Sequence, residues 1–285
     1  MASKIKVDQI EGAGGTTITV PSGQTLDASS ATVTLPNGAV SAAKLNADII
    51  SGQTELTSSP ADTDEFLISD AGVLKRIDAS LIGGGGYQSM QVFTSSGTYT
   101  KPSGIKKIKV YITGGGASGA GAANNSDFGG GGGAGGTAIE TLDATSINTV
   151  TVTIDGGGGT VTGDNHGNAG GTSSFGSHLS ATGGSTGRHG NAGHVRGGVG
   201  GLGSGGDINL YGGAGHGGDD SDNNHMTGGN GGQSFWGGAG MGVGSNETGS
   251  ATDRAGKHGS GGGGSGNGVA SGSGGAGICV VEEYK

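Results

Sequence analysis

The sequence is short of nearly everything from which a globular core is usually built. Of its 285 residues, 30% are hydrophobic and 4% aromatic, with a single tryptophan, Trp236. Between Asp155 and Ala276 only 15 of 122 residues are Ile, Leu, Val, Met, Phe, Trp or Tyr. Apolar burial returns about 25 cal/mol per Å², too little from so few side chains to offset roughly 1–2 kcal/mol of backbone entropy per ordered residue. The one cysteine, Cys279, excludes an internal disulfide framework. There are four prolines, none after Pro102, and the glycines keep no strict Gly-X-Y register, which excludes a collagen triple helix. No run approaches 18 consecutive apolar residues, and the opening MASKIKVDQIEG has no apolar h-region. Neither a membrane span nor a secretory signal is therefore expected. Positive charge thins out along the chain: residues 111–285 hold 5 Lys and Arg against 13 Asp and Glu, a balance that disfavours non-specific nucleic-acid binding.

Signatures of catalysis are missing too. All seven histidines (166, 178, 189, 194, 216, 225 and 258) lie in the glycine-rich half, with no His pair at helical spacing and no Cys/His set, so zinc has little support. The dipeptide Gly256-Lys257 is followed by His258, not by the Ser or Thr of a phosphate-binding loop, and no G-x-S-x-G elbow occurs in a strand–turn–helix context. Asp207 and Asp219 stand 12 residues apart, against the nine of a calcium-binding nonapeptide repeat. DDSDNNH (219–225) starts like a calcium loop but carries His225 where the loop needs glycine. It reads as a solvated acidic turn, with an incidental surface cation as the alternative. No enzyme activity, resident metal or cofactor is expected.

What the sequence has is glycine, 73 residues in all and 47 of the 122 between Asp155 and Ala276. Ordering glycine costs more backbone entropy than ordering any other residue, so this half is either a flexible linker or is held by backbone hydrogen bonds. The last segment decides for order: GICVVEEY (277–284) is an apolar strand that needs a sheet, and strands at 108–112 and 150–154 supply one. Several runs keep a Gly-Gly-X period of three, as in GGVGGLGSGGDI (197–208). Three residues per turn is the geometry of an extended polyproline-II-type helix, which has no internal hydrogen bonds. Side-by-side glycine helices of this kind can bond to one another, with Val199, Leu202 and similar residues facing a neighbour or the sheet.

The fold expected is mainly β and irregular. Residues 1–86 hold short strands (KIKVDQI, TTITV, ATVTL), one short helix at 41–50 capped by Ser41, and a hairpin in EFLISDAGVLKRI around Asp70-Ala71-Gly72. Gly83 to Gly86 mark a domain boundary. In 87–285 a small sheet, with strands at about 90–154 and 277–284, frames a glycine slab at about 113–136 and 155–276. The larger side chains must then gather in turns. These hold Asn124, Asn125, Asp127 and Phe128; His166; Arg188 and His189; Asp219, Asp220, Asp222, Asn223 and His225; Phe235 and Trp236; and Arg254, Lys257 and His258. The adjacent Phe235 and Trp236 read either as a cap on the slab or as an exposed aromatic platform.

VFTSSGTYTKPSGIKKIKVYITGGGASGAG, then glycine runs, then GGAGICVVEEY, resembles the glycine-rich domain near the C-terminus of many bacteriophage tail-fibre and receptor-binding proteins. The resemblance covers roughly residues 90–285 and is carried by Phe93, Gly97-Thr98-Tyr99, Pro102, the 107–113 strand and the closing strand. The openings SKIKVDQIEGAGGTTITVPSGQTL and EFLISDAGVLKRIDASLI look like N-terminal segments of fibre proteins of marine phages. The resemblance implies a homotrimeric virion fibre made without a signal peptide. Its residues 1–86 would attach to other tail or baseplate proteins and trimerise. Residues 87–285 would be an adhesin containing a polyglycine-II sandwich, whose turns recognise a host-surface glycan or outer-membrane protein. A purely structural virion fibre is the alternative, and a polysaccharide-degrading spike lacks the long β-helix pattern with paired carboxylates.

Overall fold

A computed structural model of the chain describes residues 63–71, 73–82 and 86–285, apart from 125, 192, 221–225, 245–249 and 267, together with isolated positions between 22 and 61. Contacts divide the chain into Met1–Pro60 and Ala61–Lys285. The strands and the helix expected before residue 51 lie outside the described residues.

The expected hairpin forms. β1 (Glu65–Asp70) and β2 (Val73–Asp78) pair antiparallel from Glu65↔Asp78 to Asp70↔Val73, and Ala71 takes φ 50° in the tight connection. One turn of helix, α1 (Ala79–Ile82), follows.

Two five-stranded antiparallel sheets come next. β3 (Tyr87–Phe93), β5 (Lys107–Thr113), β7 (Thr137–Asp143), β13 (Ile208–Leu210) and β16 (Ile278–Tyr284) assemble in the order β13-β7-β5-β16-β3. β4 (Gly97–Thr100), β8 (Thr149–Thr153), β9 (Ser173–Phe175), β10 (Leu179–Ala181) and β12 (Gly203–Ser204) assemble as β12-β10-β9-β8-β4. Period-two alternation sets which side chains meet between them. Ile108, Val110 and Ile112 of β5 are fully buried with Cys279 and Val281 of β16, against Tyr99, Val150, Val152, Phe175 and Leu179 of the other sheet. The closing strand pairs with 107–113 as expected, but 149–153 belongs to the second sheet, not to the same one. Inward-facing apolar residues on two sets of strands are satisfied only when the sets face each other, and a single small sheet would have left one set wet.

The glycine runs are the connections between these strands, and their hydrogen bonds go to other glycine runs. Segment 129–136 donates its amides in rotation: Gly129 to Ser265, Gly130 to Arg188, Gly131 to His216, Gly132 to Gly262, Gly133 to Ser185 and Ala134 to Gly213, at 2.7–2.9 Å. Its carbonyls accept from Ala120 and Ala117, from Gly198 and Gly201, and from Gly229 and Gly232. This one segment is thus bonded to six others: 114–121, 182–188, 195–201, 212–218, 228–233 and 259–265. Segments 114–121 and 259–265 are likewise bonded to six each, and all three are almost entirely buried. Among the described residues, the other glycine segments surround these three in chain order, each bonded to the next, as in Gly170 to Gly184, Ser185 to Val199, Gly215 to Gly198 and Gly213 to Gln233. The ring closes where Gly274 donates to Gly158.

Absence of side chains is what lets backbones approach this closely. A Cβ at Gly131 would stand 2.0 Å from the Asn230 carbonyl oxygen, at Gly132 2.2 Å from that of Ala117, and at Gly133 2.1 Å from that of Val199. Three successive residues meet three different neighbours. Val199, expected to face a neighbour, is 67% exposed because 195–201 is an outer segment.

Candidate functional site

Glycine segments run away from the sheets or back toward them, some turning at 234–236 and 257–258 without entering a strand, so the connections fall at two ends. At the sheet end lie Phe235 and Trp236, and Lys257 and His258. Trp236 donates its indole N–H to Thr113 Oγ1 (3.1 Å), and Ser234 Oγ donates to the His258 carbonyl (2.7 Å). Among the described residues, the far end gathers the connections around 122–128, 162–166, 188–194, 219–220, 226–227, 250–252 and 268–270, apart from 125 and 192.

Far-end pairing brings together residues distant in sequence. β6 (Phe128–Gly129) pairs with β11 (His189–Gly190), in register His189↔Gly129, which sets His189 beside Asp127. Asp164 reaches in from a third connection: its Oδ1 accepts the Ala123 amide (2.7 Å) and lies 3.2 Å from His189 Nε2. One ligand atom from each of Asp127, Asp164 and His189 lies within 4.8 Å of the others, the arrangement here that could hold a metal ion among the described residues. Asp127 is 6% exposed, and neither its Oδ2 nor His189 Nε2 has a hydrogen-bond partner. Burial, and then the negative charge of the Asp164 carboxylate, hold the Asp127 carboxyl above the ordinary carboxylate range. The His189 amide donates to His166 Nδ1 (2.9 Å). Close by in the chain, His194 Nδ1 lies 2.7 Å from Asp219 Oδ1, and β14 (Asp219–Asp220) pairs with β15 (Met226–Thr227).

Of the residues singled out in the sequence, Asp127, Phe128, Arg188, His189, Asp219 and Asp220 all belong to far-end connections. Phe128 is fully buried, Arg188 is exposed, and Asn124 is exposed while its Oδ1 accepts the Ser126 amide (2.7 Å). Arg254 is at the far end in α2 (Ala251–Arg254) but is 8% exposed, and its guanidinium donates to the Ser250 and Ala270 carbonyls. Asn125, Asp222, Asn223 and His225 lie outside the described residues. Asp164 and His166 complete the cluster, yet neither was among the recognition candidates. His166 was expected in a turn, but only the fold brings both residues, 37 and 39 positions after Asp127, to one site.

The sheet end carries a separate aromatic cluster. Phe235 and Trp236 meet edge to face at 4.9 Å, Trp236 meets Tyr111 at 5.5 Å, and Lys109 Nζ sits 5.1 Å from the Tyr111 ring centre. Phe235 remains 50% exposed, so the pair both closes the glycine array over Thr113 and presents an aromatic edge. On the array's flank, His216, Asn230, Gln233 and Met241 border an open, glycine-floored groove of about 520 Å³.

Two antiparallel sheets feeding a backbone-bonded array, with polar connections at its far end, define a glycine-rich β domain. The chain belongs to the glycine-rich domain family, whose model matches residues 89–284. No curated protein matches it. Among the described residues no helix is long and apolar enough to cross a membrane.

Proposed function

We propose that the protein is a non-enzymatic bacteriophage tail-fibre adhesin whose far-end connections recognise a host-surface glycan or outer-membrane protein. The observation that carries the reading is the rotation of hydrogen bonds by three along the inner segments 114–121, 129–136 and 259–265, each bonded to six others. It supports a polyglycine-II lattice, in which helices of three residues per turn pack side by side. Such a lattice holds its connections rigidly while leaving their sequence free to vary, the arrangement recognition loops need. The far end offers charged and polar groups from several connections, including Asn124, Arg188 and Asp219.

Residues 1–86 would attach the fibre to other virion proteins and trimerise. Phe66, Leu67 and Ile68 of the hairpin are exposed, and a two-stranded ribbon is marginal unless something covers it. Three copies would also raise weak single-site binding by avidity.

The test is binding of the full chain to a panel of bacterial cells and to a glycan array, beside a chain whose 219–227 and 188–194 connections are replaced by Gly-Ser of equal length. The expected result is saturable binding that the replacements abolish. Absence of saturable binding to any cell or glycan would favour the purely structural fibre.

A further inference from the structure

We propose that Asp127, Asp164 and His189 form a binding site for one divalent transition-metal ion, of the class of Zn²⁺ or Mn²⁺, which ties three far-end connections together. The three residues come from connections after segments 114–121, 155–161 and 182–188, so the site exists only in the folded array. It is not an acidic surface cluster. Asp127 is more than nine-tenths buried and its Oδ2 has no hydrogen-bond partner, while His189 Nε2 beside it is also buried and lies 3.2 Å from Asp164 Oδ1 without forming a hydrogen bond. Buried polar atoms left unpaired in this way are uncommon and call for a partner. A divalent ion supplies one for both, and two carboxylates with a neutral imidazole balance its charge.

The spacing fits. Ligand atoms held about 2.1 Å from a tetrahedral centre lie about 3.4 Å apart, and these atoms already lie within 4.8 Å of one another. Closure by about 1.4 Å at most is needed, within reach of Asp164, whose side chain is 48% exposed. The donor set selects the metal: an imidazole with two carboxylates suits the borderline first-row ions, whereas Ca²⁺ takes six to eight oxygens. Surrounding bonds orient the ligands as metal sites require. The Ala123 amide holds Asp164 Oδ1, the β6–β11 pairing fixes the His189 backbone beside Asp127, and His166 Nδ1 accepts the His189 amide.

The test uses the full chain, stripped with a chelator and titrated with ZnCl₂ by calorimetry, beside Asp127→Asn and His189→Gln. The other six histidines are common to the wild type and Asp127→Asn, so any site they make cancels in that comparison. Expected are one tight site per chain, binding at least tenfold weaker in each variant, and a zinc-dependent rise in melting temperature only in the wild type. CaCl₂ should not reproduce the rise. If Asp127→Asn loses its cooperative melt, Asp164→Asn, at a half-exposed position, gives the same comparison. No tight site in the wild type, or a variant that keeps it, would overturn the proposal. So would an Asp127→Asn chain that melts higher than the wild type in chelator while zinc changes neither, since the carboxylates would then simply share a proton. None of these outcomes bears on cell binding, which is measured separately.

Discussion

Substituting Gly132 by alanine tests the glycine array directly. The added Cβ would lie 2.2 Å from the Ala117 oxygen, and 3.4 Å is an ordinary contact, so segments 114–121 and 129–136 must part by about 1.2 Å. The bond from the Ala117 amide to the Gly133 carbonyl is 2.9 Å long and crosses this gap. Opened by that much it passes beyond hydrogen-bonding range, and the bonds from Ala120 to Gly130 and from Gly114 to Gly136 on either side of it are strained. Each buried backbone group left unpaired costs about 1–3 kcal/mol, and overpacking a filled interior adds about 1–3 kcal/mol. A loss of about 3–5 kcal/mol is expected. Controls are Gly159 and Gly238, where an added Cβ meets nothing within 4 Å. Alanine there should be neutral or stabilise by about 0.4–1 kcal/mol through the unfolded chain. Urea unfolding followed by the fluorescence of Trp236, the chain's one tryptophan, and by circular dichroism measures all three. A Gly132→Ala chain within about 0.5 kcal/mol of wild type, where ordinary surface changes fall, would refute the close-packed backbone.

Three further outcomes follow from the packing of the two sheets. Burial pushes the Cys279 thiol from 9.0 up to about 12. The folded state then holds its proton where the unfolded state releases it, so stability is intact below pH 9 and falls as pH rises toward 12, by about 1.4 kcal/mol per unit from this group; Cys279→Ala should flatten that slope in alkaline urea titrations, and native Cys279 should resist a thiol reagent at pH 8. Thr113 Oγ1 is bonded to both the Trp236 indole and Thr137 Oγ1 (2.8 Å). Thr113→Val should therefore cost about 1–3 kcal/mol and shift the Trp236 emission; an unchanged spectrum would mean the indole bond is absent. Glu283, fully buried, accepts from Tyr99 Oη (3.0 Å), Gln91 Nε2 (2.8 Å) and Ser89 Oγ (2.5 Å). Glu283→Ala, leaving three donors unpaired, should lower the melting temperature well beyond Glu283→Gln, and equal melting temperatures would exclude the network as a stabilising feature.

Period-two alternation in 107–113, 149–153 and 277–284 made the strands legible, and the turn around Asp70-Ala71-Gly72 made the hairpin legible, because both signals are local. The scarcity of apolar side chains in 155–276 also required backbone bonding to hold that half, since little else was available. Sheet membership was not legible: the alternating face of Val150 and Val152 suits either sheet, and only packing against Tyr99 and Phe175 assigned it. The sequence likewise listed turns without ends. Which of them share a surface depends on the direction in which each glycine segment crosses the array, a property of the whole array. Asp127, His166 and His189 were visible as turn residues and Asp164 was not, and the closeness of all four was hidden because it arises from pairing between connections dozens of residues apart. Composition by itself determined that glycine backbones must bond to one another, for want of side chains. Tertiary structure alone decided which backbones, and so which polar groups, were brought within reach of one ligand.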